Sequence, residues 1–149
     1  MTTSEKMAAM PRKPTIETRY HINFAWWARE RQALHVYLQN HLCEEHRSEL
    51  ASEYREDDCE DWIDPETGEV HRLDRIRYAI VSHCSQQVGY LTSQIALVDA
   101  IFRVFLSNSN HPLTSEEIAL RIGREGQAGA IRRTLSGKRI YNGLRPVTG

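Results

Sequence analysis

The run Leu113-Thr114-Ser115-Glu116-Glu117-Ile118 leaves this chain little alternative to starting a helix at Thr114. Thr114 can accept from the backbone N–H three residues on, Glu117 can reach back to the Thr114 N–H, and Leu113 and Ile118 are spaced as a hydrophobic staple. Ile118, Ala119 and Ile122 give this helix one apolar face, and Gly123 supplies the left-handed residue that ends it. Arg124-Glu125-Gly126 reads as a turn, after which Ala128, Ile131 and Leu135 mark the buried face of a second helix closed by Gly137. Asn142-Gly143, set between Arg139-Ile140-Tyr141 and Leu144-Arg145, suits the two positive φ angles of a type I′ hairpin turn. Pro146 limits the second strand of that hairpin to a sheet edge.

Upstream, Ile95, Leu97, Val98, Ile101, Phe102, Val104, Phe105 and Leu106 cover most of a helix circumference, so that helix should lie centrally, with Thr92 or Ser93 as its cap. Leu73, Ile76, Ile80, Cys84 and Val88 predict an amphipathic helix ended by Gly89. Tyr20, Phe24, Trp27, Leu34, Leu38 and Leu42 fall at steps of three, four and seven, predicting one long helix capped by Asn23 and widened sideways by Trp26, Ala33 and Tyr37. After Cys43 a polar helix is expected to about Tyr54. The acidic run Glu56, Asp57, Asp58, Glu60 and Asp61 then reads as a solvated loop. Trp62-Ile63-Asp64 and Glu69-Val70-His71, flanking the turn-rich Pro65-Glu66-Thr67-Gly68, predict a short β-hairpin whose register is open.

A greasy helix, a short capped helix, a turn, an Arg-bearing helix and a hairpin, in that order, resemble the winged helix-turn-helix superfamily over about Gln94 to Val147. The expected fold is therefore mainly α: a leader over 1–18, a helical N-terminal region over 19–91 with a hairpin near 62–71, and a C-terminal winged helix-turn-helix over 92–149. The resemblance implies a second helix lying in the major groove of double-stranded DNA, with Arg132 and Arg133 as its main contacts. It also implies phosphate contacts from Arg124, Lys138, Arg139 and Arg145, Asn142 at the wing, and an anion site at the backbone amides near Thr114. Only Gln127, at the front of that helix, can read a base edge, so limited sequence discrimination or a protein partner is expected. The expected function is a DNA-binding regulator of transcription, dimeric through the Trp26-Trp27 helix; the alternative is a protein-interaction adaptor.

Charge agrees with a polyanion partner only locally. Residues 1–89 carry a net of −5 and residues 90–149 a net of +4, while Arg121 to Arg145 alone holds +6. Screening limits each charge's reach to about 10 Å, so the basic segment acts independently of the acidic half.

Cys43 and His46 have the Cys-x2-His spacing of a metal-binding pair. Cys59, His71, His83 and Cys84 follow within forty residues. Cys84 is the best third ligand, although it also sits on an apolar stripe where a reduced cysteine serves as core. Adjacent His83 and Cys84 are expected to diverge by about 100° if both lie on a helix. Structural zinc on Cys43, His46 and Cys84 is the one cofactor in prospect. No phosphate loop, nucleophile elbow or His-Glu-x-x-His metal helix is present, which predicts a protein that is not an enzyme. Three cysteines, an odd count, and the lack of any apolar run of about 20 residues predict a cytoplasmic protein with no membrane span.

Overall fold

A computed structural model describes residues 13–29, 31–50 and 58–148. Among them are six α-helices and five strands in two small antiparallel sheets: β1 (Arg19–Ile22), α1 (Arg31–Gln39), α2 (Glu44–Leu50), β2 (Cys59–Ile63), β3 (Val70–Asp74), α3 (Arg75–Ser82), α4 (Leu97–Ser107), β4 (Leu113–Thr114), α5 (Ser115–Arg121), α6 (Ala128–Ser136) and β5 (Leu144–Pro146). The architecture is a mixed α+β one. β2 and β3 form the hairpin, and the other sheet has the order β4-β1-β5.

That second sheet is why the expected mainly α fold with a C-terminal winged helix does not hold. A wing needs Arg139–Tyr141 and Leu144–Pro146 to pair with each other. Here they share only the bridge Tyr141↔Leu144 across the turn, while Leu144, Arg145 and Pro146 pair with Ile22, His21 and Tyr20 of β1. Tyr20 also pairs with Leu113 on the other side. The central strand thus comes from the segment read as the start of a long helix. Its steps of three and four concealed a two-residue alternation: Tyr20 and Ile22 are fully buried, while Arg19 and His21 are not.

Asn23 does act as a cap, accepting from the Ala25 N–H at 3.0 Å, but of a 3₁₀ turn over Phe24–Trp27. Trp27 is inside, stacked on Tyr37 with its indole N–H donating to the Asn142 carbonyl at 3.0 Å; Trp26 is 42% exposed. Two other boundaries differ from expectation. α3 stops at Ser82, leaving Val88 97% exposed, and Ala96 rather than Thr92 or Ser93 precedes α4. Glu60 and Asp61 belong to β2 rather than to a loop; Tyr54, Glu56, Asp57 and residues 1–12 of the expected leader lie outside the described residues.

The α5 start is as its sequence dictates. Thr114 accepts from the Glu117 N–H at 3.2 Å and Glu117 from the Thr114 N–H at 3.0 Å, while Leu113 and Ile118 are both buried. Asn142 and Gly143 both have positive φ, at 55° and 80°. α4 is central, with Ala100, Ile101, Phe102, Val104, Phe105 and Leu106 buried. A single apolar cluster joins it to Tyr20, Ile22, Leu38, Ile76, Ile80, Ile118, Ile131 and Leu144. Burial of each large side chain contributes about 1.5–3 kcal/mol, so β1 and β5 depend on the same core as the helices.

Candidate metal centre

Cys43 immediately precedes α2 and its carbonyl accepts the Arg47 N–H at 2.9 Å. His46 therefore stands one turn along, on the same side. α3 is anchored at its start by Asp74, which caps the Arg77 N–H at 2.8 Å, and ends at His83, whose φ of −138° and ψ of −59° leave the helical region. Cys84 then opens a 3₁₀ turn. The 100° divergence expected of helical neighbours does not apply across that break, and His83 and Cys84 converge on Cys43 and His46.

One ligand atom from each of the four residues lies within 4.8 Å of all the others. Cys43 Sγ is 3.2 Å from His46 Nδ1 and 3.6 Å from His83 Nδ1, and Cys84 Sγ is 3.6 Å from His46 Nδ1. Tetrahedral zinc, with Zn–S about 2.3 Å and Zn–N about 2.0–2.1 Å, requires S···N edges of about 3.6 Å. Two of these three distances match that edge and the third is about 0.4 Å shorter.

Burial is graded across the centre. Cys84 is 1% exposed and joins the apolar cluster, whereas Cys43, His46 and His83 are half-buried. Burial, reinforced by the neighbouring Cys43 sulfur, pushes the Cys84 thiol up to about 12. A metal must displace that proton to bind thiolate. An open concavity of about 460 Å³, lined by Cys43, Glu44, Glu45, Ser48, His83 and Gln87, borders the cluster on the Cys43 and His83 side.

All three expected ligands, Cys43, His46 and Cys84, are thus brought together, and His83 joins them. The sequence held a signal for it: Cys-x2-His and His-Cys make two close pairs, the arrangement common in four-ligand sites. Cys59 is not part of the centre. It is exposed and opposite Asp74 in the hairpin, while His71 is opposite Trp62, so the register puts Cys59 and His71 on different faces.

The expected nucleic-acid residues divide into two groups. Arg124 donates to the Ile95 carbonyl and ties the turn before α6 to the loop before α4. Arg132 donates to the Ser115 hydroxyl at 2.9 Å and to Glu116 at 3.1 Å. Asn142 turns inward to donate to the Tyr37 hydroxyl, and the Thr114 amide is occupied by Glu117. Gln127, Arg133, Lys138, Arg139 and Arg145 are exposed, with Arg139 over the Tyr141 ring at 5.1 Å. Among the described residues no helix is long and apolar enough to cross a membrane. Comparison with protein-family models, with curated proteins and with solved structures gave no match.

Proposed function

We propose that this is a zinc-binding protein whose Cys43–His46–His83–Cys84 centre is structural, fastening the start of α2 to the end of α3. The convergence of four zinc-type ligands at tetrahedral spacing carries the reading. Four protein ligands leave no open position, so the metal holds the scaffold rather than activating water. A reducing, cytoplasmic setting would keep Cys43 and Cys84 available as thiolates.

Cobalt substitution tests this. Cobalt bound at this centre should show a thiolate-to-metal charge-transfer band that is absent from the Cys43→Ser/Cys84→Ser variant. A folded chain that shows no such band refutes the reading.

A second reading, binding of double-stranded DNA by the C-terminal region, is favoured by one observation. The side chains of Arg133, Lys138 and Arg145 are exposed and make no hydrogen bond or ion pair among the described residues. Affinity from such contacts would come from phosphate and would fall steeply with salt. The alternative partner is an acidic protein surface, and salt-dependent titration with duplex DNA separates the two.

A further inference from the structure

We infer that Asp64, His71 and His111 form a second metal site, one that binds a divalent first-row transition-metal ion and leaves coordination positions open. One ligand atom from each lies within 4.8 Å of the other two. Asp64 Oδ2 is 3.1 Å from His111 Nε2, close to the ligand edge of about 3.0–3.4 Å that an ion with bonds of about 2.0–2.2 Å requires. Two imidazoles and one carboxylate suit iron, zinc, cobalt or manganese.

The site is framed by two elements remote in sequence. Asp64 ends the β2 side of the hairpin and His71 lies on β3; His111 comes from the loop between α4 and β4. That loop is fixed: Asn110 hydrogen-bonds both the N–H and the carbonyl of Ile22 at 2.8 Å, and Asn108 holds the His111 backbone at both N–H and carbonyl. Asp64 is 7% exposed, and its Oδ1 accepts the Glu66 N–H at 2.8 Å, leaving Oδ2 for the site.

The observation that points to a missing ligand is His71 Nε2. This atom is buried with no hydrogen-bond partner; Glu69 Oε2, at 3.4 Å, does not make one. A buried polar nitrogen without a hydrogen-bond partner is unfavourable, and a metal ion shared with His111 and Asp64 would supply the partner. Three protein ligands would leave at least one position for water or a substrate oxygen, unlike the closed Cys2His2 centre.

Cobalt(II) titration of the full chain checks the assignment, read by bound-metal quantification and visible absorption, with the fold monitored by circular dichroism. Wild type should bind two equivalents. His71→Gln and His111→Gln should each bind one equivalent fewer and keep the thiolate band of the first centre. His71→Gln is the more telling variant, because a side chain whose Nε2 makes no hydrogen bond can be replaced with little loss of fold. The site is refuted if wild type binds no more cobalt than the two variants, leaving Asp64–His111 as a carboxylate–imidazole pair alone. Loss of the thiolate band with the second equivalent retained would count against the Cys2His2 reading and leave this one standing.

Discussion

Cys43 Sγ and His83 Nδ1 lie 3.6 Å apart although forty residues separate them, and no backbone hydrogen bond links α2 directly to α3. Zinc bound as proposed would turn that juxtaposition into a clamp between two helices of modest length. Chelation should therefore loosen the chain around α2 first. With free zinc about 1,000-fold above its dissociation constant, linkage contributes about 4 kcal/mol. For a chain of this size that corresponds to a Tm drop of about 8–16 °C on adding chelator, measurable by calorimetry. An unchanged Tm in a protein shown to have lost its metal would contradict a structural role.

His41 makes stability depend on acid. It is 3% exposed, accepts from Arg103 Nε at 3.0 Å, and burial, then the Arg103 charge, lowers its pKa to about 4. The unfolded chain, with a histidine pKa of about 6.5, takes up the proton first as pH falls. The contribution is intact above pH 6.5 or so and disappears progressively towards pH 4, a loss of about 3 kcal/mol. Urea unfolding of wild type and His41→Gln at successive pH values isolates it, since every other titratable group is common to both. Parallel curves would show that His41 is not responsible.

Gly143 should tolerate no side chain. Its φ is 80°, and a Cβ there would sit 2.9 Å from the Asn23 carbonyl oxygen and 3.1 Å from Trp27 Nε1. The left-handed conformation alone costs an L-residue about 1–2 kcal/mol, and the Asn23 carbonyl is backbone that cannot easily give way. Gly143→Ala is expected to lower Tm by about 4–8 °C, whereas Gly126→Ala, with open space around it and no positive φ, should change it by much less.

The cations divide into structural and available ones, and substitution should separate them. Lys138→Gln and Arg133→Gln should leave Tm nearly unchanged and each reduce the salt slope of duplex binding by about 1. Arg124→Gln should instead destabilise, because its guanidinium serves the Ile95 carbonyl. Equal salt slopes for wild type and both exposed-cation variants would remove the nucleic-acid reading.

What could be read in advance was local. The α5 capping box, the Gly123 stop, the Asn142-Gly143 turn and the burial of α4 each follow from residues within one or two turns of one another. The β4-β1-β5 sheet does not, because pairing Tyr20 with Pro146 leaves no mark on either segment beyond Tyr20 and Ile22 alternating with less buried neighbours. His83 was hidden for a different reason. Its role depends on α3 ending at Ser82, and helical periodicity, extended through Val88, counts His83 as one more position on a continuous face.

β1 also imposes a timetable. Its two partners lie near the far end of the chain, so during synthesis Tyr20 and Ile22 emerge long before Leu113 and Leu144 exist to cover them. Until then an apolar strand with two open edges is exposed, a species prone to pairing with other chains. The sheet can close only once Leu144–Pro146 has emerged. A fragment beginning at Thr92 would carry β4 and β5 with nothing between them, and a second molecule's β1 would be the natural strand to fill the gap.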